Sequence, residues 1–164
     1  MAKVTPQDAT QLKTLLQRQV SAASLVLEKL KTERDALEQR KFDNVTYIQR
    51  DKHPMLAQIN DAEEQRQQLM NQLGLEAGEI GFRSFIAQVP PQWQTTFNDL
   101  WSQRKTLLEQ CRHANEVNGR ILHHTQQAAE RVLALVRGQT SMQYIYNSKG
   151  GKGYIQGSRQ LAVA

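Results

Sequence analysis

Long apolar runs are missing from this 164-residue chain. No stretch approaches the roughly 18 apolar residues that a membrane-spanning helix needs. The opening MAKVTPQDATQLK lacks the apolar centre of a secretory signal. Cysteine is nearly absent as well: Cys111 stands alone, which excludes an internal disulfide. These absences read as a soluble, cytoplasmic chain that does not insert into membranes. Aromatic residues make up only 6% and hydrophobic residues 39%. That is lean for a compact globule, and it suits long helices that bury a narrow seam and leave the rest wet.

Acidic residues are missing from one region. Residues 131–164 hold Arg131, Arg137, Lys149, Lys152 and Arg159 and no Asp or Glu, so they carry the whole formal charge of +5. The remainder is electrically balanced. A uniformly basic face would suit duplex nucleic acid; a neutral body with a basic end argues against it.

What is present is helical spacing. Thr5 before Pro6 reads as the cap of a first helix. Leu12, Leu16, Val20, Ala23, Leu27, Leu30 and Leu37 then recur in steps of mostly three and four, to about residue 40. The KFDNV segment breaks that pattern and offers Asp43 or Asn44 as a new cap. A second helix, about 44–73, carries Val45, Ile48, Met55, Ile59, Ala62, Leu69 and Leu73, with Lys52 and Arg66 in the remaining seam slots. Pro54 predicts a bend or brief interruption within it, and Gly74 ends it. Gly74, Gly78, Gly81, Pro90 and Pro91 mark a connecting stretch in which Phe82, Phe85, Ile86 and Val89 predict a short helix at about 80–88. The last helix, about 91–137, has the most regular seam. Trp93, Phe97, Leu100, Arg104, Leu107, Cys111, Ala114, Asn118, Ile121, Thr125, Ala128, Val132 and Leu135 follow in steps of three and four, a coiled-coil heptad, with Gly138 as the stop. The fold class expected is therefore all-α: an elongated antiparallel bundle of three long helices and a short connector over residues 1–138. Residues 139–164 form a glycine-rich basic tail, mobile in solution or folded as a loose hairpin around SKGGKG.

The expected lengths are unequal. At 1.5 Å per residue the three long helices measure roughly 52, 45 and 70 Å, so the last should outrun its neighbours by about 18–25 Å. The stretch left over, about 122–137, has an apolar stripe of its own. Either the tail or a second copy of the chain covers it, or it receives an apolar helix of another protein, for which this spacing is suited.

Catalytic chemistry finds little support. His113, His123 and His124 share one helix without the i, i+4 pairing and carboxylates of a zinc site. Nothing in the local sequence would activate Cys111, which reads as a packing residue. SKGGKGYIQGS lacks the ending and the strand-to-helix context of a phosphate loop. The chain reads as a non-enzyme that uses no cofactor or metal. Arg104 and Asn118 interrupt an otherwise apolar seam. An amide there either fixes register and partner choice or sits in a wet part of the seam. Trp93 and Trp101 read as bundle packing, whereas Tyr144, Tyr146 and Tyr154 lie in a tail with no evident core and read as partner recognition or local packing.

Three segments carry a resemblance to a known family: LVLEKLKTERDALEQRKFD leading into the second helix, the Gly/Pro break at 74–91, and NEVNGRILHHTQQAAERVLALVRG followed by a glycine-rich tail with QYIY. The layout resembles the FlgN family of flagellar export chaperones over most of the chain. Asn115, Asn118 and Gly119 ahead of the apolar stripe are its most characteristic piece; the SKGGKG turn and Pro54 are not features that the family requires. The resemblance implies a cytoplasmic carrier of the type III flagellar apparatus. Such a carrier holds the C-terminal helical segments of the hook-filament junction proteins FlgK and FlgL and delivers them to the export gate protein FlhA. Carried onto this chain, it implies a client surface of Ile121, Leu122, Ala128, Val132, Leu135 and Val136, and a gate contact at Tyr144 or Tyr146. The carrier would be a monomer or a weak homodimer. Two other readings stand beside it: a structural or adaptor coiled-coil homodimer, and a nucleic-acid-binding module that uses the basic tail.

Overall fold

A computed structural model describes residues 3–137 and, in the tail, the backbone of residues 145–146 and 152–153. The order is α1 (Pro6–Glu38), α2 (Phe42–Gln72), α3 (Glu79–Ile86) and α4 (Pro91–Val136), followed by a short antiparallel pairing of Ile145–Tyr146 with Lys152–Gly153. By their contacts the residues form two units, Met1–Gly119 and Arg120–Ala164, with α4 contributing to both.

The start of α1 and the ends of α1 and α2 have local causes. Thr5 and Asp8 form a capping box: the Thr5 side chain accepts from the Asp8 amide at 3.2 Å, and Asp8 accepts from the Thr5 amide at 2.8 Å. Pro6 fills the first turn, where its missing N–H costs nothing. The ends of α1 and α2 are alike. At α1 the Arg40 amide donates to the Leu37 carbonyl and the Lys41 amide to the Ala36 carbonyl. At α2 the Gly74 amide donates to Asn71 and the Leu75 amide to Met70. This pairing satisfies helix-end carbonyls by turning one residue left-handed. Gly74 takes that turn at φ 69°, and Arg40 takes it at φ 57° without glycine's freedom.

Two local expectations need correction. The cap of α2 is Lys41, not Asp43 or Asn44, and it makes no side-chain cap bond. The tight end of α1 commits the chain to helix again at Phe42, so Asp43 falls inside the first turn, where its charge meets the positive helix end. Nor does Pro54 interrupt α2, which runs from Phe42 to Gln72. Packing on both sides of the proline holds it: Val45, Ile48 and Lys52 are buried before it, and Met55 and Ile59 pack on a core cluster after it.

Cross-helix bonds give the topology. Lys52 meets Glu33, Lys29 meets Asp51, and Arg18 meets Asp61, so α1 and α2 run antiparallel. Arg104, Cys111 and Asn118 bond Gln19, Ala23 and Leu30 in ascending order, so α4 runs parallel to α1. One core cluster gathers Leu12, Leu16, Leu69 and Met70 with Phe82, Phe85, Phe97 and Trp101. A second holds Ala23, Val26, Leu30 and Cys111. Each large aliphatic or aromatic side chain in them contributes roughly 1.5–3 kcal/mol. Trp101 stacks on Phe82 at 4.2 Å between centroids, and its Nε1 donates to Glu79 at 2.8 Å. Trp93 is half-buried against the same cluster. Both tryptophans are packing residues.

Polar layers cross this core. In the lower one, Glu63 accepts from Arg66 at 2.6 and 3.0 Å, from Arg104 at 2.8 Å and from Gln19 at 2.9 Å. Both guanidinium groups also lie over the Trp101 ring, at 5.3 and 4.9 Å. In the upper one, Glu33 accepts from Lys52 at 2.8 Å and from Asn118 at 2.9 Å. Asn118 also donates to the Leu30 carbonyl at 2.8 Å and accepts from Arg34 at 2.8 Å. It is 3% exposed, so the wet-seam alternative for this amide does not hold. Among the described residues no buried side-chain nitrogen or oxygen lacks a partner. The exposed pairs Arg18–Asp61 and Lys29–Asp51 contribute less, about 0–1 kcal/mol each.

Burial by itself would raise the Glu63 pKa. Hydrogen bonds from Arg66, Gln19 and Gln67, with the charge of Arg104, outweigh it and hold the group at about 2. A carboxyl depressed in the folded state adds stability above its unfolded pKa and loses it as pH falls through the folded value. Acid titration is therefore expected to cost the protein stability from about pH 5 downward toward about 2. Glu63→Gln should flatten that dependence and lower stability at pH 7 by about 2 kcal/mol, read by urea unfolding at several pH values. At the α1–α2 turn, Arg40→Gly should raise stability by about 1 kcal/mol because it relieves a left-handed side chain. That is a rise of about 2–4 °C in thermal midpoint.

Candidate protein-docking surface

The stretch Arg120–Val136 is helical for ordinary reasons. Alanine, leucine, glutamine, glutamate and arginine dominate it, all strong helix formers. Thr125 turns its hydroxyl back to the Ile121 carbonyl at 2.9 Å. A Cβ at Gly119 would meet nothing within 4 Å, so this glycine is not required by close packing.

The α4 seam changes character along its length. Trp93, Phe97, Leu100, Arg104, Leu107, Cys111, Ala114 and Asn118 are each buried or half-buried. Asn118 is the last buried residue of α4. Ile121, Leu122 and Thr125 are half-buried, and Ala128 is exposed. Val132, Leu135 and Val136 are 58%, 70% and 79% exposed. Apolar side chains of that size open to water form a surface for another apolar partner.

One residue of this surface was not legible from the heptad. Leu133 is 51% exposed. It belongs to a neighbouring row, Leu122, Ala129, Leu133 and Val136, whose own steps of seven, four and three are the signal that would have found it. With it the apolar surface spans two adjacent rows of the helix. Its charged flank is mostly basic, with exposed Arg120, Arg131 and Arg137 against Glu130.

The residues named for chemistry are placed as follows. His113, His123 and His124 are exposed, and His123 shares a hydrogen bond with Gln127 at 3.1 Å. The Cys111 thiol donates to the Ala23 carbonyl at 3.3 Å, and burial pushes its pKa up, away from the reactive thiolate. A hollow of about 490 Å³ is lined by Leu27, Lys31, Glu109, Gln110 and His113 between α1 and α4. It brings no nucleophile beside a base. Among the described residues no three potential metal ligands come together, and no helix is long and apolar enough to cross a membrane. Tyr144 lies outside the described residues; Tyr146 is described only through its backbone, paired with Lys152.

The all-helical fold agrees with the comparisons. The family model for FlgN protein matches residues 1–153. The chain belongs to the FlgN family. Its fold is similar to the crystal structure of a flagella synthesis protein FlgN from Pseudomonas aeruginosa, with a TM-score of 0.65 and 21% identity over 79% of this chain and 95% of that one. No curated protein matches the chain.

Proposed function

We propose that this FlgN-family chain is a cytoplasmic chaperone of flagellar type III export that acts by binding alone. Its clients are the C-terminal helical segments of the junction proteins FlgK and FlgL. It keeps them from assembling early and hands them to the export gate protein FlhA, with Tyr144 or Tyr146 as the gate contact. The observation that carries this reading is the run of open aliphatic side chains at the end of α4, Val132, Leu133, Leu135 and Val136. Ile121, Leu122 and Ala128 precede them along α4. An amphipathic client helix laid along these rows exchanges two wet apolar faces for one buried one.

The magnitudes suit a carrier. Four or five aliphatic side chains buried at roughly 1.5–3 kcal/mol each stand against an association cost of about 4–15 kcal/mol. The surplus is small enough for the client to be released. The charge distribution favours protein over nucleic acid as partner, since the excess +5 is confined to residues 131–164.

The test is capture of purified C-terminal segments of FlgK and FlgL by titration calorimetry. Val132→Asp with Leu135→Asp should weaken capture at least about a hundredfold, because two carboxylates would be desolvated in the complex. Helical circular dichroism should stay unchanged, because both side chains are exposed in the free protein. Undiminished capture by this variant would remove the surface from the client site. A tight dimer in sedimentation of the isolated chain, dissociated by the same substitutions, would assign the surface to a second copy instead.

A further inference from the structure

One heptad row of α4 reads Phe97, Arg104, Cys111, Asn118, Thr125, Val132. Its first four members are turned into the bundle, and they alternate apolar and polar. Each of the last three of those four is bonded to α1. Arg104 Nε donates to Gln19 Oε1 at 2.6 Å, Cys111 Sγ to the Ala23 carbonyl at 3.3 Å, and Asn118 Nδ2 to the Leu30 carbonyl at 2.8 Å. Both polar members also reach a carboxylate on another helix: Glu63 of α2 for Arg104 and Glu33 of α1 for Asn118.

A regular heptad seam of this length is equally a template for pairing with itself. In a second copy of α4 the seam residues Trp93 to Leu135 contain no carboxylate. Two α4 helices in parallel register would bring Arg104 against Arg104 with no counter-charge. In an antiparallel arrangement centred on Cys111, Arg104 would face Asn118, and its charge would again be buried uncompensated. Only α1 and α2 of the same chain supply Gln19, Glu63 and Glu33 at the matching levels. A buried charge left without its partner is strongly unfavourable, so the penalty falls on the wrong pairing alone.

We infer that Arg104 and Asn118 are specificity-determining residues that reserve the first two-thirds of the α4 seam for its own α1 and α2 and bar a second copy of α4 from it. The inference concerns the buried part of the helix and stands whether or not the exposed end binds a client.

Cys111 lies midway between the two residues, in the same row, and serves as the probe. Pairing of α4 with α4 would bring two Cys111 thiols together; in the native bundle each is buried against Ala23. The full-length protein is oxidised with diamide and the disulfide-linked dimer is quantified on a non-reducing gel. The wild type should give almost none. Arg104→Leu with Asn118→Leu should keep its helicity and give at least about tenfold more, and Cys111→Ser should abolish it. All are made in the Val132→Asp, Leu135→Asp background as well, so that pairing through the exposed end does not contribute. A helical double variant that cross-links no more than the wild type overturns the inference, as does a wild type that cross-links as readily as the variant. If the double variant loses helicity, the same comparison is read on Arg104→Gln alone, which removes the charge that bars a second α4 and leaves Glu63 paired with Arg66. A folded single variant with no gain in dimer overturns the inference equally.

Discussion

Burial of the α4 seam as far as Asn118, and of no α4 residue after it, is the constraint on which the rest depends. Up to that residue each seam position has a partner in the bundle: Phe85 against Phe97, Gln19 and Glu63 for Arg104, the Ala23 carbonyl for Cys111, the Leu30 carbonyl and Glu33 for Asn118. The helix then continues for another 18 residues to Val136, built of strong helix formers and with no residue buried. A sequence pattern that runs evenly through 91–137 is thus divided by its surroundings into a buried part and an open part. The open part is the surface on which the proposed activity rests.

The polar layers explain how a chain so poor in apolar residues holds a defined bundle. Few side chains are available to fill the core, and Gln19, Glu33, Lys52, Arg66 and Asn118 take core positions instead. Such residues stabilise less than a hydrophobic filling would, and they are costly when unpaired. What they add is selectivity, because Gln19, Glu33, Lys52 and Asn118 find their partners on a neighbouring helix.

Much of this architecture was legible in the residues. The three long helices, the short connector, the Thr5 cap and the glycine stop at Gly74 follow from period, capping chemistry and backbone freedom, all local signals. The seam slots at Lys52, Arg66, Arg104 and Asn118 also stood out, because a polar residue interrupting an apolar period is visible. Their partners were not. Gln19 and Glu33 are buried on α1, yet in the sequence they look like any solvated side chain, and only tertiary pairing draws them inside. The start of α2 escaped for a related reason. An arginine in the left-handed turn at Arg40 gives none of the signal that glycine gives at Gly74. Pro54 does not interrupt α2, since packing on either side of it outweighs one lost backbone bond. At the candidate surface the heptad pointed to Val132 and Leu135 but missed Leu133, which sits on the adjoining row.

Hydrogen–deuterium exchange along α4 in the isolated full-length protein tests the central claim most directly. Amides from about Phe97 to Asn118 lie in a packed bundle and should exchange only on its opening, whereas those from Arg120 to Val136 belong to a stretch of α4 with no buried residue and should open locally. The account predicts a steep fall in protection just after Asn118, by about a hundredfold or more. Equal protection on both sides of Asn118 would mean that the chain covers its own apolar end, and it would contradict the account.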